Sequence, residues 1–224
     1  MSPITRRLRA LAIGIAGALL AACTSAPPPP DWQMNARQAI DDAVAAYLEG
    51  NTRVEAAAFA RARGEIARTG RIDLLARAEL MRCAARVASL VFETCEGFET
   101  LRTDAPPAER AYADYLAARV QPEQISLLPP PHRAVASTSA EAAAAALRAI
   151  DDPLSRLIAS GVLLQSARAK PEVMQLAVET ASERGWRRPL LAWLKVQLMR
   201  AELASDKAEA ERLRRRIGVV QTTQ

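Results

Sequence analysis

The 224-residue chain carries 30 basic and 25 acidic residues, a formal net charge of +5, and is 50% hydrophobic but only 4% aromatic. Ala, Leu, Arg and Glu, all strong helix formers, dominate, while alternating runs of Val, Ile, Thr and Tyr are nearly absent, which excludes a strand-rich fold. The length suits one domain, with room for a helical array.

Arg6, Arg7 and Arg9 give a basic start. Leu11 to Ala22 follow as an apolar stretch of 12 residues containing Gly14 and Gly17. As a helix it would rise about 18 Å against roughly 30 Å of bilayer hydrocarbon, too short for a comfortable span and suited to a signal-peptide core. It closes on Leu20-Ala21-Ala22-Cys23, where small residues leave room beside a scissile bond and the thiol can form a thioether. This run resembles the processing signal of bacterial lipoproteins. The resemblance implies cleavage before Cys23, diacylglyceryl transfer to its sulfur and acylation of the new N-terminus. One acyl chain binds only marginally, whereas three make an effectively permanent anchor.

Thr24 stands where inner-membrane lipoproteins often carry aspartate, so the resemblance implies the outer membrane, with the domain facing the periplasm. Residues 26–30 read APPPP. Polyproline II geometry at roughly 3.1 Å per residue would hold the domain about 20 Å from the lipid. Residues 1–22 are therefore expected to be a cleaved signal, and 23–30 a lipidated tether. No cofactor beyond this covalent lipid is expected.

Removing the signal removes three arginines and no acid, leaving 27 basic against 25 acidic residues, or +2. That near balance argues against a nucleic-acid partner. Assigning Cys23 to lipid also leaves Cys83 and Cys95 as an even pair in an oxidising compartment. On one helix their 12-residue separation would span about 18 Å, far beyond a disulfide's reach. A bridge thus requires a chain reversal within 89–94; two buried free thiols are the alternative.

Helix signals recur along the mature chain. Asp31 can cap a helix through Leu48, with a stripe of Ala36, Ile40, Ala43, Val44 and Tyr47, stopped by Gly50 and Asn51. Thr52 and Glu55 form a capping-box pattern opening a helix to about Arg68, which Gly70 ends. A third helix from about Asp73 carries Leu74, Ala78, Met81, Ala85 and Ala88 on one face. A short helix to Leu101 and another over 107–119 follow.

Residues 121–137, with Pro129-Pro130-Pro131, read as an irregular connection between an N-terminal subdomain, 31–120, and a C-terminal one, 138–220. Thr138 and Glu141 repeat the capping box before Ala142. Asp152-Pro153, Lys170-Pro171 and Arg188-Pro189 each read as an N-cap followed by Pro at the first helical position. Gly185 reads as a C-terminal stop. The final helix buries Ala210, Leu213, Ile217 and Val220.

About nine helices with short connections favour antiparallel hairpins. Tyr47, Gly50, Phe59 and Ala62 resemble part of a tetratricopeptide repeat, as do Ala177, Ala181, Gly185, Leu190 and Leu194. No 34-residue period runs through the chain. The expected fold is all-α, either a tetratricopeptide-like α-solenoid or an irregular helical bundle.

Candidate chemistry is sparse. The one histidine, His132, beside three prolines, reads as a solvated loop residue and cannot build a His-based metal cluster. Ser137 and Ser139 stand at a helix start, where capping accounts for them. Asp41-Asp42 reads as a solvated face and Asp151-Asp152 as a cap, since acid–base catalysis needs carboxylates facing each other across a cleft. Arg214, Arg215 and Arg216 suit a helix C-terminus, with Glu211 paired to Arg215. Trp186, Trp193, Tyr112 and Tyr115 read as core.

No catalytic, cofactor or metal residue is assigned. The expected function is non-enzymatic: an outer-membrane lipoprotein whose helical domain serves as a scaffold or adaptor for a protein or peptide partner in the envelope. The alternative is a cell-wall enzyme, or an activator of one, using carboxylates in a helical cleft.

Overall fold

A computed structural model describes residues 28–222. The expected signal residues and Cys23 lie outside the described residues. The described chain holds eleven α-helices and no strand. They are α1 (Asp31–Glu49), α2 (Thr52–Ala67), α3 (Ile72–Ala88), α4 (Glu96–Glu99), α5 (Pro107–Leu116), α6 (Pro130–Ser137), α7 (Ala143–Arg148), α8 (Pro153–Gln165), α9 (Pro171–Glu183), α10 (Arg187–Leu203) and α11 (Lys207–Thr222). A 3-10 helix, Pro122–Leu127, precedes α6. The all-α class expected from composition is the class observed.

Two helices organise the packing. α3 touches α2, α4, α5 and α8, while α8 touches α3, α5, α6, α7 and α9. From α8 onward each long helix packs on the next, α8 on α9, α9 on α10 and α10 on α11. The α3–α8 crossing is close because Gly161 has no side chain: a Cβ there would stand 2.3 Å from the Val87 carbonyl oxygen. The main core joins Leu80, Phe98, Tyr115, Leu157, Trp193 and Leu213, drawn from α3 through α11. From Trp32 onward the chain is one compact unit.

Helix ends follow a common design. Gly50, Gly70 and Gly185 take positive φ after α1, α2 and α9. Leu90, Ala118, Ala167 and Ser205 take the same left-handed conformation after α3, α5, α8 and α10, with φ of 61°, 55°, 56° and 57°. Each of these four closes a Schellman motif; after α8, for instance, Arg168 N–H donates to the Leu163 carbonyl and Ala167 N–H to that of Leu164. The closing bonds hold non-glycine residues in a conformation they would otherwise avoid.

Several local expectations change. Residues 121–137 are not irregular, since they form the 3-10 helix and α6; Pro130 and Pro131 occupy the first helical positions, where proline costs no hydrogen bond. The Thr52/Glu55 capping box does not form. Asn51 caps α2 by accepting from the Val54 N–H at 3.2 Å, and Glu55 turns inward. The Thr138/Glu141 box is also absent, because α7 starts later, after Ala142. Asp152 does cap α8, accepting from the Ser155 N–H at 2.7 Å. α10 begins at Arg187, one residue before the expected Arg188 cap.

Candidate functional site

The site is built on one face of α3. Glu79, Arg82, Cys83 and Arg86 stand at i, i+3, i+4 and i+7 and share that face, while Leu80, Ala84, Val87 and Ala88 turn to the core. After Ala88 the chain leaves the helix through Leu90 and returns as a strap over 89–95, which runs into α4. Cys83 and Cys95 are bonded across the reversal, with their Cα atoms 5.9 Å apart. α3, the strap and the end of α5 enclose an open groove of about 580 Å³. Val91 and Phe92, 37% and 41% exposed, line it, as do Arg119 and Gln165.

The electrostatics around α3 come from buried glutamates, each met by arginine. Glu55, 3% exposed, accepts from Arg82 Nε at 3.0 Å and from Arg86 Nη1 at 3.5 Å. Arg86 also reaches across to Glu93 on the strap, at 3.0 Å. Glu79 is ion-paired with Arg63, and its carboxylate lies so close to Gly97 that a Cβ there would meet Oε2 at 2.2 Å. Glu109 on α5 accepts from Arg77 at 2.7 and 3.1 Å. A buried carboxylate without such partners would cost several kcal/mol, so these pairs fix how α2, α3 and α5 meet.

Aromatic faces add to the arginine contacts. Arg82 lies 4.8 Å from the Phe59 ring, and Arg86 lies 5.2 Å from that of Tyr47. Burial raises the Tyr47 pKa, against opposing pulls from Arg188 and Arg86. Arg188 lies 4.3 Å from the same ring and donates to the Tyr47 carbonyl at 2.7 Å and to Thr52 Oγ1 at 3.0 Å. α1 and α2 are thereby tied to α10.

His132 is not a solvated loop residue. It is buried on α6, with its ring 5.5 Å from that of Tyr112 and 5.0 Å from that of Tyr115. Burial pulls its pKa down to about 4, with a small opposing effect from Asp152. The same enclosure raises the pKa of both tyrosines. The signal for this burial was the Tyr112/Tyr115 pair, which already read as core.

The other singled-out residues have structural roles. Asp42 pairs with Arg61 at 2.7 Å on the surface. Ser137 Oγ donates to the carbonyls of Arg133 and Ala134, and Ser139 Oγ accepts from the Ala142 N–H. Glu211 pairs with Arg214 rather than Arg215, and Arg214 also reaches Glu202 on α10. Trp193 is fully buried and donates to the Ala88 carbonyl at 3.1 Å.

Among the described residues no group of three or more His, Cys, Asp or Glu side chains is arranged to hold a metal, and no helix is long and apolar enough to cross a membrane. Leu20, Ala21, Ala22 and Cys23 lie outside the described residues. Sequence reasoning missed the buried glutamates. Glu55 did carry a signal, since it falls on the stripe of Ala58, Phe59, Ala62 and Ile66, the buried face of α2. No protein-family model, curated protein or solved structure matches the chain.

Proposed function

We propose that the chain is a lipid-anchored scaffold of the bacterial outer membrane whose groove beside Cys83 and Cys95 holds a segment of a protein partner in the envelope. The observation that carries this reading is the groove itself: about 580 Å³, open to solvent, with apolar Val91 and Phe92 at a wall rimmed by charged side chains. Apolar anchors within a polar rim are the usual makeup of a protein-binding surface. The buried glutamates Glu55, Glu79 and Glu109 are held by arginines, which supports a structural role for them.

The Leu20-Ala21-Ala22-Cys23 run supports the anchor, and Thr24 the outer membrane with a periplasm-facing domain. The tetratricopeptide-like reading of Ala177 to Leu194 is supported by the packing of α8 on α9, α9 on α10 and α10 on α11, since the helices of an α-solenoid also pack on their successors. Membrane contact is through the acyl chains on Cys23, and nucleic acid is not a partner.

A photo-crosslinking residue at Phe92, activated in intact cells, tests the groove. One discrete envelope protein should be captured, and a Phe92 probe should capture it far better than one at Leu203, 80% exposed on α10 and outside the groove. Equal capture at both positions refutes the groove as the binding site. Replacing Cys23 by Ser should abolish acyl labelling and release the protein from the outer-membrane fraction; undiminished labelling refutes the anchor.

A further inference from the structure

We infer that the Cys83–Cys95 bond is an exchangeable redox site, read by a protein dithiol, and that its state sets how firmly the strap closes the groove. Both cysteines are half-buried: they pack on the edge of the main core and also line the groove, so the bond is reached from the open side of the site. The strap lies between two fixed points, Ala88 and Phe98, each fully buried. Leu90 packs on the main core and Gly97 lies against Glu79, but between them the noncovalent ties to α3 are few. Val91 N–H donates to the Arg86 carbonyl at 3.0 Å, and Glu93, mostly exposed, pairs with Arg86. The disulfide is therefore the main restraint on the stretch over 92–95, which presents Phe92 beside Val91.

The reduced form is provided for as well. Cys95 Sγ stands 3.7 Å from the Glu79 carbonyl oxygen, where a thiol would find an acceptor. α3 does not depend on the bond, because Leu80, Ala84 and Val87 hold it in the core. Reduction thus frees the strap and leaves the helices packed.

The exchange balances with a protein dithiol as the two-electron donor. One of its thiolates attacks a sulfur of the Cys83–Cys95 bond, forming a mixed disulfide and expelling the other cysteine as thiolate. The donor's second thiolate then displaces the remaining cysteine. The donor leaves as a disulfide, and Cys83 and Cys95 each end with a proton. The redox site stands on the strap geometry alone; its effect on partner binding rests on the groove reading above.

The test uses the full chain with Cys23→Ser, leaving one cysteine pair, and reduced thioredoxin as the dithiol probe. Under native conditions both cysteines should become alkylatable. Amide exchange in 90–95 should rise about tenfold, with less than about a twofold change in α3 and α8. A bond that thioredoxin reduces only after denaturant is added overturns the inference, as does reduction that accelerates exchange throughout α3 and α8. Adding Cys83→Ser and Cys95→Ser should reproduce the reduced exchange pattern. Crosslinking at Phe92 then separates the two readings. A capture that differs between the bridged and the serine-substituted chain supports control of the groove, and an identical capture overturns it. No capture in either form removes the groove reading while the exchange result stands.

Discussion

Arg82 on α3 binds the buried carboxylate of Glu55 on α2 through its Nε, at 3.0 Å and across 27 residues of sequence. Removing that carboxylate leaves Arg82 and Arg86, neighbours on one face of α3, without the buried charge they share. Glu55→Ala should therefore destabilise the domain by about 2 kcal/mol, discounted from a fully buried pair because both arginines are partly exposed. The exposed pair of Asp42 and Arg61 gives the contrast, and Asp42→Ala should cost under about 0.5 kcal/mol. Urea unfolding of both variants measures the difference.

The α3–α8 crossing makes a paired forecast. Alanine normally stabilises a helix relative to glycine by about 1 kcal/mol. At Gly161 the steric term wins, because the new Cβ would press on the Val87 carbonyl, a backbone atom that cannot turn away. Gly161→Ala should cost about 2–3 kcal/mol. At Gly64 nothing lies within 4 Å, so Gly64→Ala should gain up to about 1 kcal/mol. Thermal denaturation should move in opposite directions for the two.

Ala167 and Ser205 hold left-handed conformations that glycine adopts freely. Ala167→Gly and Ser205→Gly should each stabilise by about 0.5–1 kcal/mol, since relief of the Cβ clash exceeds the added chain entropy. Reduced urea midpoints in both would contradict this.

His132 sets a pH window. Its pKa falls from 6.5 in the unfolded chain to about 4 when folded, so between these values the unfolded state binds the extra proton. Stability attributable to neutral His132 is complete above pH 6.5, declines as pH falls, and levels off below about 4. The loss amounts to at most about 3 kcal/mol. His132→Phe keeps a ring between the tyrosines and should flatten this part of the profile. Unfolding at pH 7 and pH 4.5 in both proteins isolates the histidine. The loss from Asp73, whose carboxyl Arg71 holds at about 2, comes below pH 4.

Arg188→Lys removes both the Nε donor to Tyr47 and the planar stack on its ring. α1 buries mainly alanines besides Tyr47 and Leu48, so it has little else to hold it. The change should cost about 1–2 kcal/mol and raise amide exchange in α1 before other helices. Exchange that rises uniformly would refute the tie.

Local chemistry was legible and distant pairing was not. The long helices, the glycine stops after α1, α2 and α9, and the Asp152 cap follow from residues within one turn of each other. Pro130 and Pro131 misled because proline breaks a helix interior but is welcome at its start; Asp152-Pro153 uses the same allowance. Thr52 and Glu55 fitted a local motif, yet Glu55 is claimed by Arg82 and Arg86, one helix further on. His132 depends on rings 20 and 17 residues upstream. Non-glycine left-handed caps such as Leu90 carry no sequence mark, because neighbouring bonds rather than residue type hold them.

The α3–α8 contact has a consequence for synthesis. When Ala88 emerges into the compartment where the chain folds, about 65 further residues must follow before α8 begins, so α3 waits without its main partner. Cys95 emerges only 12 residues after Cys83. The staple between them can therefore close while α3 still lacks α8, and it shortens the stretch of free chain that the later crossing must gather in.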